Sequence, residues 1–174
     1  MAKTLYLFRH AKSSHDDPSL EDAERPLAKR GRRAAEKLGR YLASHNVAPA
    51  LVLCSTAVRA RETLARAVEE WPLAAPIDYR QSLYSAAAPA LLEEVRALDD
   101  RLDSAMLVGH NPGMEELAAM LLPAAKASHS PSFPTGTLAV FIFAAKRWRS
   151  VAPGRGRLDS IITPRELEAE QDAA

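Results

Sequence analysis

Three short apolar runs set the limits on what this chain can fold into: Leu5-Tyr6-Leu7-Phe8, Leu51-Val52-Leu53-Cys54 and Ala105-Met106-Leu107-Val108. Each is four residues long, too short for a helix, and each stops at a charged, hydroxyl or glycine residue. Such runs fit parallel strands covered on both faces, where polar alternation is not needed. Behind the first two runs the apolar period changes. Leu27, Gly31, Ala34, Leu38, Leu42 and His45 share one helical face across Leu27 to Ser44. Ala57, Ala60, Leu64, Ala67, Val68 and Trp71 share another. Strands alternating with helices predict an α/β fold, a three-layer α/β/α sandwich with a mostly parallel central sheet.

The remaining segments extend the pattern. Either hydroxyl of Ser55-Thr56 is expected to cap the helix behind the second run. Ile77-Asp78-Tyr79 reads as a strand and about Pro89 to Leu98 as a helix. A further helix runs to about Leu122, with Asn111 as N-cap and Pro112 at its first position. Pro123 to Gly136 reads as a loop, Thr137 to Phe143 as a strand, and Trp148 to Val151 as its antiparallel neighbour. From Gly154 the chain reads as a surface arm, with Thr163-Pro164 starting a short terminal helix. Residues 1–174 are thus expected to form one domain, with about 155–174 peripheral.

Bulk properties narrow the function classes. A formal charge of +1 argues against a general nucleic-acid binder. No run approaches the ~18 apolar residues of a membrane span. The apolar run before Arg9 is too short for a signal-peptide core, so a cytoplasmic location is expected. One cysteine, Cys54, excludes an internal disulfide and a Cys-rich zinc site. Lys29, Arg30, Arg32, Arg33, Lys37 and Arg40 give the first helix a basic face, read as solvated, with docking of an acidic partner as the alternative.

Reactive and cationic residues collect at the ends of the three runs: Arg9-His10, then Ser55 to Arg59, then His110. Ligands of open α/β sheets bind beyond the carboxyl ends of strands. Arg59 falls in the first turn of its helix and is expected to point back toward the strand end that feeds it. Two imidazoles and two guanidiniums form a phosphate-handling set, because arginine binds phosphate oxygens bidentately and stays charged. Helix N-termini behind Thr56 and Asn111 add positive dipole ends.

Four motifs occur in a fixed order: Leu7-Phe8-Arg9-His10-Ala11-Lys12-Ser13-Ser14; Arg25-Pro26-Leu27 with Gly31; Ser55 with Arg59-Ala60 and Glu62-Thr63; and Gly109-His110-Asn111-Pro112-Gly113. In that order and spacing they resemble the histidine phosphatase (phosphoglycerate-mutase-like) superfamily, most of all its SixA-type phosphohistidine phosphatase branch. The resemblance implies a phosphoglycerate-mutase-like fold and His10 as a nucleophile that is transiently phosphorylated before water releases phosphate. Arg9, Arg59 and His110 would bind the equatorial oxygens, with Ser13 and Ser14 as further candidates for phosphate binding. No metal or other cofactor is expected, since the guanidiniums and the second imidazole can supply the positive charge. The expected partner is a phosphohistidine-bearing protein or a small phosphorylated substrate, with inorganic phosphate as product.

The chain departs from the superfamily pattern in three places. Ala11 follows the nucleophile where glycine is usual, and Asp16 stands where a phosphate-binding asparagine is common. Leu83-Tyr84-Ser85 lacks the acidic residue that usually protonates the leaving group. Asp16, Asp17 and Glu115 are the candidate replacements. Their simpler readings are loop solvation for the first two and a favourable first-turn charge for Glu115. The lack of an acid favours P–N bonds, because a phosphohistidine with its other nitrogen protonated expels neutral imidazole, whose conjugate acid has a pKa of about 6.5. Only about ten residues separate Tyr79 from the helix at Pro89, leaving no room for a lid there. An open pocket suits a side chain displayed on a protein. The alternatives are a small-molecule or aryl phosphomonoesterase, a non-catalytic phosphate-binding module, and a cysteine-dependent phosphatase built on Cys54 to Arg59. The last has four residues between Cys and Arg, without glycine, where such a cradle needs five.

Overall fold

The first strand, β1 (Lys3–Arg9), lies inside a six-stranded sheet, as described by a computed structural model covering residues 1–173. Its companions are β2 (Val52–Ser55), β3 (Ile77–Arg80), β4 (Ser104–Gly109), β5 (Leu138–Phe143) and β6 (Arg157–Ile162). Their order across the sheet is β3-β2-β4-β1-β5-β6. The first four are mutually parallel. β5 runs antiparallel to β1, and β6 antiparallel to β5.

The helices are α1 (Lys29–Ser44), α2 (Val58–Glu70), α3 (Ala88–Arg96), α4 (Gly113–Leu121), the single turn α5 (Ala124–Ala127), and α6 (Pro164–Ala173). Side chains of a strand alternate between faces, so each buried run supplies two layers. Phe8, Cys54 and Val108 pack with Leu38 and Leu42 of α1, Leu64 of α2 and Leu167 of α6. Leu7, Leu53 and Leu107 pack on the other face with Leu91 of α3 and Met114 and Leu117 of α4. This is the expected three-layer α/β/α sandwich. Burying one such side chain stabilises by about 1.5–3 kcal/mol, so both layers matter against a net stability of about 5–15 kcal/mol. At Gly39 an added Cβ would lie 2.2 Å from the Ala67 carbonyl oxygen, which explains how closely α1 and α2 pack.

Several local expectations need correction. The antiparallel neighbour of β5 is β6, with Leu138 opposite Ile162. Trp148–Ser150 is instead a 3-10 turn, whose buried indole donates to the Leu102 carbonyl at 2.8 Å. Arg157–Ile162 therefore completes the sheet edge, and Leu167 of α6 packs with Leu38 and Leu42 of α1. Most of the expected surface arm is thus regular structure, with a helix beginning, as expected, at Pro164. Polar residues spaced along β6 hid it, a composition common on edge strands. The cap of α2 is Ala57, and that of α4 is Pro112, which follows a cis peptide bond from Asn111. Asn111 still serves the helix, its Oδ1 accepting the Glu115 N–H at 3.2 Å. Among the described residues no helix is long and apolar enough to cross a membrane.

Candidate active site

Because β2, β4 and β1 are adjacent and parallel, their carboxyl ends open at one edge of the sheet. Arg9 is in register with Gly109, so His10 and His110 are the next residues on neighbouring strands. The His10 N–H donates to the Gly109 carbonyl at 3.0 Å, and the ring centroids are 5.1 Å apart. Arg59 enters from the first turn of α2, directly behind β2. All four residues expected to form the site are buried or partly buried at this edge.

The protonation of both rings follows from their neighbours. His10 Nδ1 lies 2.7 Å from the Ala11 carbonyl, which can only accept, so Nδ1 carries the proton and Nε2 the lone pair. Burial pushes the His10 pKa down to about 3, helped by His110, Arg59 and Arg9. Burial and the Arg59 charge push His110 to about 4. Both rings are neutral at pH 7. His110 Nε2 is 2.7 Å from Ser55 Oγ, whose oxygen already accepts the Ala57 N–H. The Ser55 hydroxyl is then free to donate to Nε2, leaving the His110 proton on Nδ1.

Each arginine is anchored at its tip. Arg9 Nη1 donates to the Phe133 carbonyl at 2.8 Å, and Arg59 Nη1 donates to the Asp22 carbonyl at 2.6 Å. Among the described residues, Arg9 Nε, Arg59 Nε and His110 Nδ1 are buried without a hydrogen-bond partner. An unsatisfied buried donor costs about 1–3 kcal/mol, so three at one edge mark a functional site. Three N–H donors, two on permanent cations, match the oxygens of a tetrahedral oxyanion.

Two motif residues earlier seen only as pattern hold this edge together. The Thr63 hydroxyl donates to the Arg59 carbonyl at 2.6 Å and accepts the Ala11 N–H at 2.9 Å, bolting α2 to the segment after His10. At Gly31 an added Cβ would sit 2.1 Å from the Lys12 carbonyl oxygen, so that segment rests directly on the start of α1.

The other expected site residues are placed differently. Ser13 Oγ accepts from Arg25 Nη1 at 2.8 Å, and Ser14 Oγ accepts the Asp16 N–H, so both hydroxyl oxygens serve the loop. Asp16 is exposed, and Asp17 Oδ1 accepts from the Ser19 backbone and hydroxyl. Glu115 Oε1 accepts the Phe133 N–H at 2.8 Å, fixing the loop that anchors Arg9. Cys54 is fully buried in the α1/α2 layer, and burial raises its thiol pKa to about 12. It cannot supply the thiolate that a cysteine-dependent phosphatase requires.

Asp22 and Tyr84 join the site without a sequence signal of their own. Asp22 Oδ2 lies 2.9 Å from Arg59 Nη2 and accepts the Tyr84 hydroxyl at 2.5 Å. The Tyr84 hydrogen bond, with Arg59 and Arg25, holds the Asp22 carboxyl well below the usual carboxylate range. The Tyr84 ring stands edge-on to His110, with centroids 5.5 Å apart. In the sequence Asp22 is one acid in a run of them, and no local pattern singles it out.

Comparison with known proteins places the chain in a family. Residues 5–84 match the model of the histidine phosphatase superfamily (branch 1). The chain is 39% identical over 163 residues to an uncharacterized protein of Mycobacterium tuberculosis, covering 90% of this chain and 99% of that one. A solved structure of a candidate phosphohistidine phosphatase SixA from Nakamurella multipartitia superposes with a TM-score of 0.82 at 30% identity, covering 94% of this chain and 97% of that one. A second candidate SixA, from Agrobacterium tumefaciens, gives 0.78 at 32% identity, covering 93% and 98%.

Proposed function

Since the chain belongs to the histidine phosphatase superfamily, in its SixA-type branch, we propose that it hydrolyses protein phosphohistidine through a covalent phosphoryl group on His10. The observation that carries this reading is the orientation of His10: its Nδ1–H is tied to Ala11, leaving a neutral Nε2 lone pair beside three partnerless N–H donors.

In the proposed first step, Nε2 attacks phosphorus in line with the bond to the leaving nitrogen. The N–P bond to His10 forms as the substrate P–N bond breaks, and the electron pair leaves with the substrate imidazole. Arg9, Arg59 and His110 hold the equatorial oxygens, where charge spreads in a loose transition state. Water then attacks phosphorus as the His10 Nε2–P bond breaks; the electron pair returns to Nε2 as its lone pair, and the water protons leave with the inorganic phosphate. These steps use only side chains of this protein, without a metal or cofactor.

The placement of Asp16, Asp17 and Glu115 supports a reaction without a carboxylic acid as proton donor. A protonated phosphohistidine tolerates that, and an alkyl ester does not. The segment between β3 and α3 holds only the 3-10 turn Gln81–Leu83, which supports a substrate displayed on another protein. The test is to trap acid-labile phosphate on the wild type and on His10→Ala, and to compare phosphohistidine, aryl phosphate and glycerol phosphate. Phosphohistidine and aryl phosphate should turn over and glycerol phosphate should not. Equal rates on all three, or undiminished activity in His10→Ala, would overturn the reading.

A further inference from the structure

Asp22 touches three parts of the site although its side chain is 56% exposed. A guanidinium has five N–H groups along two usable edges, the tip with both Nη atoms and the side with Nε and one Nη. Asp22 occupies the tip of Arg59: its carbonyl accepts from Nη1 at 2.6 Å and its Oδ2 from Nη2 at 2.9 Å. The side edge, with buried and partnerless Nε, is what remains for an oxyanion. Asp22 is itself pinned by the Tyr84 hydroxyl and by Arg25, whose Nη1 also reaches Ser13 Oγ and the Ser14 carbonyl behind His10.

A carboxylate on a phosphate-binding arginine can act in two opposite ways. As a competitor it would have to leave before phosphate binds. As a clamp it would turn the free edge inward and stay. The separate edges favour the clamp, because one residue takes both Nη atoms and leaves Nε unpaired. We propose that Asp22 is a positioning residue that fixes Arg59 so that phosphate binds through its Nε edge. This rests on the phosphatase reading only for its effect on turnover.

The test measures binding of inorganic phosphate by calorimetry, and kcat and KM on p-nitrophenyl phosphate, for the full chain and for Asp22→Ala and Asp22→Glu. Asp22→Ala should weaken phosphate binding and lower kcat by roughly 10- to 100-fold, and Asp22→Glu should recover part of both. Tighter phosphate binding in Asp22→Ala would make Asp22 a competitor and overturn the proposal, as would unchanged binding. Calorimetry needs no turnover, so a wild type that binds phosphate but hydrolyses nothing would refute the phosphatase reading and leave the clamp standing on its binding data.

Discussion

His10 and His110 face each other with ring centroids 5.1 Å apart, although most of the chain lies between them. The cause is register: Arg9 and Gly109 are partners on parallel β1 and β4, so each following residue emerges at the same edge. The two rings present opposite groups to the site because their second nitrogens are bonded differently. The Ala11 carbonyl accepts a hydrogen bond from His10 Nδ1–H and leaves a lone pair at Nε2, whereas the Ser55 hydroxyl donates to His110 Nε2 and leaves a donor at Nδ1.

In the proposed reaction, that difference fixes where the phosphoryl group attaches. Phosphate trapped on His10 is expected at Nε2, as read by phosphorus NMR of the denatured phosphoprotein against the two phosphohistidine isomers. Attachment at Nδ1 would mean that the Ala11 hydrogen bond does not orient the ring.

Protonation of the buried rings links stability to pH. In the unfolded chain both titrate near 6.5, while in the folded chain His10 does so at about 3 and His110 at about 4. Between those values the unfolded state binds more protons, so the stability present above pH 6.5 is lost as pH falls toward 4. The slope is up to about 1.4 kcal/mol per pH unit for each ring. Urea midpoints at pH 7 and pH 4.5 should show this, and His10→Gln with His110→Gln should flatten it. An unchanged slope in the double variant would place the pH dependence elsewhere.

Ser55→Ala removes the hydroxyl 2.7 Å from His110 Nε2 and frees the ring to take the other tautomer. Expected are a kcat loss of about tenfold and a stability cost of about 1 kcal/mol. Full activity with only the stability cost would show that the tautomer is set by another group.

Gly31→Ala drives a Cβ to within 2.1 Å of the Lys12 carbonyl oxygen unless the segment after His10 moves. The substitution should cost about 1–3 kcal/mol and lower kcat/KM with it, measured by urea unfolding and steady-state kinetics. A variant as stable and active as the parent would show that the two segments separate easily.

How much could be read in advance depended on where each signal lay. The runs at Leu5, Leu51 and Ala105 were visible because strands covered on both faces need no polar residues. Arg9, His10, Arg59 and His110 were visible because each follows such a run closely. β6 was missed because an edge strand tolerates Arg157, Asp159 and Ser160 and looks like surface chain. The sequence offers Ser55 or Thr56 as a helix cap, and the bond of Ser55 to His110 depends on β2 and β4 being neighbours.

The amino-acid order alone determined the layers and pointed to Arg9, His10, Arg59 and His110 as site candidates, since apolar periodicity and strand-end chemistry are properties of neighbouring residues. Tertiary structure decided which nitrogen of each ring is free, which edge of Arg59 is exposed to a ligand, and that Asp22 and Tyr84 belong beside them. Those are matters of reach between segments far apart in the chain, set to tenths of an ångström by packing that no local pattern encodes.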